Sequence, residues 1–485
     1  MSASIPTRPA LRAGELRTLT AGLALTVTLV AFESLAIATV MPLVASDLGG
    51  IALYGWVFSA FFLGNMVGIV AAGELADAGG LERPYLLGLT LFAIGLLAGG
   101  LAPTMPVLVV ARAVQGIGAG AIPAVAYVSI GRQYAPALRP RMFAIMSTAW
   151  VVPGIAGPAL AGLIAEVLSW RAVFLALLPL VVVAAAITTR PLLRVLSTDP
   201  ARTSRAGESG AASAIRRGRI ADVLRVAVGA GLVLAGLDTR GLPWLPVLVT
   251  TGAAVALPSL GRVLPPGTLR ASAGLPATTL LRGILMFGFT GAEAFVPLML
   301  VSVRGLSAPE AGVSLTAATV AWAAGSWIQA RQVAALGTGF LIRLGLGLVV
   351  LGIALVAAAT SPAIPVAVGL AGWGISGLGM GLGYSCITLL VLHLAPAGRE
   401  GVATAGLQLS DVLGTALGAG VGGIVLAEAP ALGWDRATAL LATFGLACAA
   451  VVGGIALTTR LGEGSRAGEA GAGHGRPAAA RIGAD

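Results

Sequence analysis

Apolar residues in this chain fall into long, nearly unbroken runs separated by short polar segments. They show neither the strict alternation of a strand nor the spaced apolar stripe of a half-buried helix. The runs cover 18–41, 52–72, 84–101, 106–130, 141–164 and 171–189, then 223–237, 242–260, 277–301, 315–329, 342–359, 364–394, 402–427 and 437–458. A helix needs about 20 such residues to cross a bilayer, so the pattern predicts an all-α polytopic membrane protein with 14 spans. The runs 223–237 and 242–260 are the weakest, the first being short and interrupted by Arg225. Without that pair 12 spans remain, and everything downstream keeps its orientation.

The break after the sixth run divides the chain. Residues 190–219 are rich in Ser, Ala, Gly and Arg and offer no apolar face, which predicts a cytoplasmic linker. The expected organisation is a cytoplasmic segment (1–17), a six-helix bundle (18–189), the linker, two additional helices (220–262), a second six-helix bundle (275–459) and a disordered cytoplasmic tail (460–485).

Composition removes the soluble alternative. The chain is 57% hydrophobic and only 10% charged, with 69 glycines in 485 residues and a mean hydropathy of +0.95. Soluble domains carry about 25% charged residues, whereas glycine lets membrane helices approach closely. The net charge of +10 comes entirely from arginine as the basic residue. These arginines gather on one side of the predicted spans; the other side holds only Arg171, Arg240, Arg304 and Arg436. The positive-inside rule therefore places both termini in the cytoplasm of a cell-membrane protein, and the pattern is not that of a nucleic-acid binder. Cys386 and Cys448 each lie within an apolar run, and His393 has no metal-ligand partner at useful spacing. The absence of lysine excludes a Walker loop. Neither a cofactor nor a metal is expected, no enzymatic nucleophile–base pair stands out, and the chain is expected to act as a monomer.

Three patterns in the first half point to a family. Gly73-Glu74-Leu75-Ala76-Asp77-Ala78-Gly79-Gly80 follows the second run, in what reads as a loop, with Arg83 as its sole basic residue. Arg112 precedes Gln115-Gly116 in the fourth run, and Pro153, Gly157 and Pro158 punctuate the fifth before Trp170-Arg171-Ala172-Val173-Phe174. In this order they resemble the signatures of the major facilitator superfamily, specifically its drug:proton antiporters with 14 helices. The resemblance implies a gating role for Gly73, Asp77, Gly80 and Arg83, although Leu81 and Glu82 stand where the family has basic residues. It also implies that Gln115 and Gly116 belong with Arg112 to an inward-facing motif, and that Pro153, Gly157 and Pro158 seal a central cavity. As backbone devices these three could equally be simple kinks.

A charge at mid-membrane costs about 2.5–3.5 kcal/mol on insertion scales, so each one needs a reason. Glu33 lies about 15 residues into the first run, near the bilayer centre. Glu293 is placed at comparable depth in the run that opens the second bundle. Low dielectric disfavours a bare charge, so such carboxylates could take up a proton and release it to arriving cationic cargo. Two at matching depth would suit a pseudo-symmetric transporter. Alternatively, such a carboxylate is permanently paired with Arg112, itself able either to snorkel or to face inward, or caps a broken helix. Asp411 could handle substrate or proton, or merely bond Ser410 or Thr415. Phe32, Trp150, Phe287, Phe289, Trp322 and Tyr384 are candidate cavity aromatics or ordinary packing.

The expected function is proton-coupled export of small lipophilic or cationic compounds, its partners being the substrate, protons and the lipid bilayer. The alternatives are a proton-coupled metabolite uptake symporter and a non-coupled lipid-handling membrane protein.

Overall fold

The computed structural model describes residues 13–134, 138–197, 210–238, 244–396 and 399–462. Among them every regular element is helical, and 14 stretches are long and apolar enough to cross a membrane. The first six spans are α1 (Ala13–Leu48), α2 (Tyr54–Gly79), α3 (Glu82–Gly100), α4 (Met105–Gln133), α5 (Arg139–Val167) and the broken pair α6 (Trp170–Leu175) and α7 (Leu177–Ser197). Two further spans follow, α8 (Gly210–Leu237) and α9 (Leu245–Val263). The last six are the broken pair α10 (Leu275–Glu293) and α11 (Val296–Ser302), then α12 (Ala308–Leu336), α13 (Thr338–Ala358), α14 (Val366–Leu394), α15 (Glu400–Glu428) and α16 (Arg436–Leu457).

Both broken spans have a proline just past the break. Pro179 and Pro297 lack the N–H that would bond Leu175 and Glu293 four residues back. A few starts are capped by side chains. The Ser307 hydroxyl accepts from the Glu310 N–H while the Glu310 carboxylate accepts from the Ser307 N–H at 2.8 Å, which starts α12. Asp435 caps α16 through the Thr438 N–H at 2.9 Å, and the Thr438 bonds hold its carboxyl below the usual range.

Two positions differ from the sequence reading. Gly73 and Asp77 lie on the last turns of α2 rather than in a loop, and only Gly80, at φ 103°, leaves the helix. The apolar run 315–329 is the middle of a helix reaching from Ala308 to Leu336, whose ends are too polar or too small to register by hydropathy. Helices α7 and α8 also extend into 190–219 from both sides. The centre of that linker, residues 1–12 and the tail beyond 462 lie outside the described residues.

The two bundles repeat one packing plan. In the first, α1 packs on α5, and both α2 and α3 pack on α4; in the second, α10 packs on α15, and both α12 and α13 pack on α14. The bundles meet through α2 with α15 and through α5 with α12, two contacts exchanged by the same repeat. Cross-bundle contacts gather near the end where α1 stops and α2 starts. There the Tyr54 hydroxyl donates to the Ala294 carbonyl at 3.1 Å, Gly55 lies against Gly423, and Gly162 lies against Pro309. Towards the other end α12 loosens: Ala324, Trp327, Ile328, Ala330, Arg331 and Gln332 are all exposed. The closest cross-bundle contacts among the described residues thus lie at the first of these ends.

Helices α8 and α9 pack on each other, and α8 lies against α2 and, less extensively, α15. Asp222 ties them, accepting from Ser259 at 3.0 Å and pairing with Arg225 and Arg262. Arg219 reaches across to Glu74 of α2 at 2.9 Å. The chain that follows α9 docks instead on the second bundle: Pro265 lies against Gly406, and the Gly274 N–H donates to the Arg460 carbonyl at 2.8 Å. In this segment Ala271 adopts φ 51°, the sole non-glycine positive φ among the described residues. Left-handed backbone costs an L-residue about 1–2 kcal/mol, partly offset by the extra chain entropy of glycine. Ala271→Gly is therefore expected to raise the unfolding temperature in detergent by ~1 °C, read by intrinsic fluorescence.

Candidate functional site

Glycine contacts on α4 build the first charged centre. A Cβ at Gly116 would lie 2.0 Å from the Phe61 carbonyl oxygen, and one at Gly120 would lie 2.1 Å from that of Asn65. In return Gly64 and Gly68 of α2 abut the Ala113 and Ile117 carbonyls. The two backbones touch, and Arg112, one turn before Gly116, is pressed inward over the Phe61 ring at 4.0 Å. There Arg112 pairs with Glu33, donates to the Gln115 side-chain oxygen at 2.8 Å and to the Val57 carbonyl at 3.3 Å. Arg112 and Glu33 are each 1% exposed, so Arg112 does not snorkel. Among the described residues one oxygen of Glu33 and the amide nitrogen of Gln115 meet no partner at full hydrogen-bond geometry. An incompletely satisfied buried ion pair is a weak source of stability, and the spare oxygen is a place for a proton.

The stripe on α5 lies at the seam. Pro153, Gly154, Gly157 and Pro158 are all buried; Gly157 faces Phe32, next to Glu33, and Pro158 presents its carbonyl to Gly312 of α12. The helix runs through both prolines without a break. At the end of α2, Asp77 and Arg83 are exposed, while Glu74, 8% exposed, holds Arg219.

The second bundle carries a different centre. On α14, Gly377 and Gly381 abut the Ala318 and Trp322 carbonyls of α12, as Gly116 and Gly120 abut α2. The residue one turn before Gly377 is Trp373, which stacks on Phe289 of α10 at 4.8 Å. Trp373 and Phe289 thus stand where the first bundle has Arg112 and Glu33. Glu293 lies one turn beyond Phe289, so the two glutamates are not symmetry mates at equal depth, a correction to the sequence reading. Glu293 is half-buried at the break between α10 and α11 and makes no hydrogen bond or ion pair with the described residues.

The Asp411 carboxylate is held by neither Ser410 nor Thr415. Ser410 donates to the Thr279 carbonyl, and Thr415 donates to the backbone oxygen of Asp411. The carboxylate of Asp411 instead accepts from Arg282 Nε at 3.3 Å and from the Tyr384 hydroxyl at 2.9 Å. Sequence reasoning missed Arg282, although an arginine just inside the run 277–301 needs a partner for the same reason as the buried carboxylates do. Of the candidate aromatics, Phe289, Trp322 and Tyr384 form one connected cluster, Phe32 and Phe287 are half-buried, and Trp150 is 40% exposed.

A two-bundle architecture, fourteen spans and a buried charge pair within each bundle agree with one further observation: the sequence profile of the Major Facilitator Superfamily matches residues 23–419. The chain belongs to the Major Facilitator Superfamily. It is therefore a multi-pass membrane transporter of the secondary type and not an enzyme. Among its relatives is the Multidrug resistance protein Stp of Mycobacterium tuberculosis, 29% identical over 388 residues, covering 77% of this chain and 68% of that protein. Multidrug resistance protein 3 of Bacillus subtilis is 33% identical over 153 residues, 32% of this chain and 30% of its own length. The matches thus span from about a third to about two-thirds of these relatives. A crystal structure of a D-xylose-proton symporter superposes with a TM-score of 0.63 at 14% identity, covering 93% of this chain and 98% of that one.

Proposed function

We propose that the chain couples proton entry to the export of small lipophilic or cationic compounds by alternating access. The observation that carries this reading is the Glu33–Arg112 pair: a carboxylate sealed from solvent at mid-span, with one oxygen short of a full hydrogen bond among the described residues, beside the α5 seam. Protonating Glu33 neutralises it and releases Arg112, while cationic cargo favours the ionised form. The half-buried Glu293 offers a second carboxylate with no counter-charge of its own. The relatives named for multidrug resistance support the export direction, and the arginine distribution supports cytoplasmic termini.

The test is efflux of a lipophilic cation into everted vesicles carrying an imposed inside-acid gradient. Wild type is expected to accumulate the cation, and Glu293→Gln is expected to cut accumulation about tenfold through lost charge attraction. Accumulation that ignores the proton gradient in wild type would overturn the coupling.

Rocking also requires the accessory helices to travel with one bundle. The Arg219–Glu74 bridge and the broad α8–α2 contact support grouping α8 and α9 with the first. A disulfide between Leu63→Cys and Gly231→Cys, on α2 and α8, is expected to leave efflux intact in a chain lacking Cys386 and Cys448. One between Leu234→Cys and Gly420→Cys, joining α8 to α15, is expected to arrest it until reduced. Equal behaviour of the two cross-links would contradict the assignment.

A further inference from the structure

Arg282 sits in surroundings that would suit a different guest. Around its guanidinium are the Asp411 carboxylate at 3.3 Å, the Tyr384 carbonyl at 2.7 Å and the Thr388 hydroxyl at 3.4 Å. The Tyr384 ring lies beneath its Cζ, and that ring meets Trp322 edge-on at 5.2 Å. Each of these partners is an acceptor, an anion or a π-face. Helices α14 and α15 supply this seat, and the cation filling it comes from α10, a third helix, on a flexible stem.

This centre differs from the Glu33–Arg112 pair in access. Arg112 and Glu33 are closed in on all sides, whereas Arg282 is 3% exposed but the Asp411 side chain is 14% exposed, and Tyr384 and Thr388 are half-buried. The seat has an open flank. Its carboxylate is also incompletely used: Oδ2 takes both the Arg282 and Tyr384 bonds, and no described residue donates to Oδ1. An arginine that served packing alone would gain more from a two-oxygen, fork-to-fork pairing.

We infer that Asp411 and Tyr384 form a binding seat for an organic cation, and that Arg282 is a tethered occupant which cargo must displace. The class of cargo rests on the export reading above. A guest with a delocalised positive charge and aromatic faces can replace the guanidinium over the Tyr384 ring, keep the Asp411 charge contact and stack on Trp322. A small, strongly hydrated cation gains no π contact and fails to displace Arg282. Arg282 thereby sets both the affinity threshold and the preference for aromatic cations, a role distinct from that of Glu33.

The experiment is equilibrium binding to the purified full-length protein in detergent, with no proton gradient. Tetraphenylphosphonium is the probe, and tetraphenylborate serves as its match in shape with opposite charge. Removing the tethered competitor by Arg282→Gln is expected to tighten tetraphenylphosphonium binding about thirtyfold, the size of a desolvated cation–π contact. Asp411→Asn is expected to weaken it, and the double variant is expected to lose the gain. Arg282→Lys, which keeps the charge but not the planar fork, is expected to fall between wild type and Arg282→Gln; it carries the test if Arg282→Gln does not fold. Weaker tetraphenylphosphonium binding in Arg282→Gln, or tetraphenylborate binding that depends on Arg282, would overturn the proposal. Because no gradient is present, failure of proton coupling leaves this result untouched. Intact coupled efflux alongside unchanged binding in all the variants would sink the seat alone.

Discussion

Glu33→Gln is expected to abolish proton-driven efflux and also to lower the unfolding temperature. The substitution keeps the shape of the side chain and an acceptor oxygen but leaves the Arg112 guanidinium, 1% exposed, with no counter-charge, only neutral acceptors and the Phe61 ring. Stranding one member of a buried pair costs about 3–5 kcal/mol, which should be plain in a detergent melting curve. The double variant Glu33→Gln/Arg112→Gln removes the stranded charge and is expected to recover most of that stability. It is not expected to recover coupled efflux, because no titratable group remains at the centre. Should transport return with stability, the pair would be a structural strut and nothing more.

The second large effect concerns a residue with no polar atom in its side chain. Gly116→Ala places a methyl 2.0 Å from the Phe61 carbonyl oxygen, where backbone rather than a yielding side chain is in the way. Overpacking typically costs about 1–3 kcal/mol, and here α2 and α4 must separate to relieve it. Because Arg112 and Gln115 are set by that contact, loss of efflux is expected even in the protein that folds. Gly131→Ala on the same helix is the control: nothing lies within 4 Å of its Cβ position, and alanine favours helix by up to about 1 kcal/mol. Equal yields and melting temperatures for the two variants would contradict the close-packing account of the site.

The sequence made some features plain and hid others, for physical reasons. Hydropathy exposes spans because each must bury its own length in lipid, and all 14 runs correspond to helices. It blurs their ends, since the polar first turn of α12 and the Gly73–Gly79 turns of α2 are helical without being apolar. Charges in apolar runs announce themselves by their cost, which brought Glu33, Arg112, Glu293 and Asp411 to notice; Arg282 carried the same signal closer to a run's edge. Partners are another matter. Which carboxylate meets which arginine depends on how close the helices come and at what register, and that is decided by glycine-to-carbonyl contacts between distant segments. For this reason Asp411 was read against its chain neighbours Ser410 and Thr415, while its true partners lie 129 and 27 residues away. The repeat likewise emerged only in three dimensions, where the Gly116 and Gly377 contacts align Arg112 with Trp373 and move Glu293 one turn out of register with Glu33.

The account turns on whether cargo binding is linked to proton loss at the Glu33–Arg112 centre. Purified protein in weakly buffered detergent solution, mixed with tetraphenylphosphonium, reports this through a pH indicator. Proton release on cation binding is expected in wild type, with release absent in Glu33→Gln. Release of equal size from both proteins, or none from wild type that binds the cation, would contradict it.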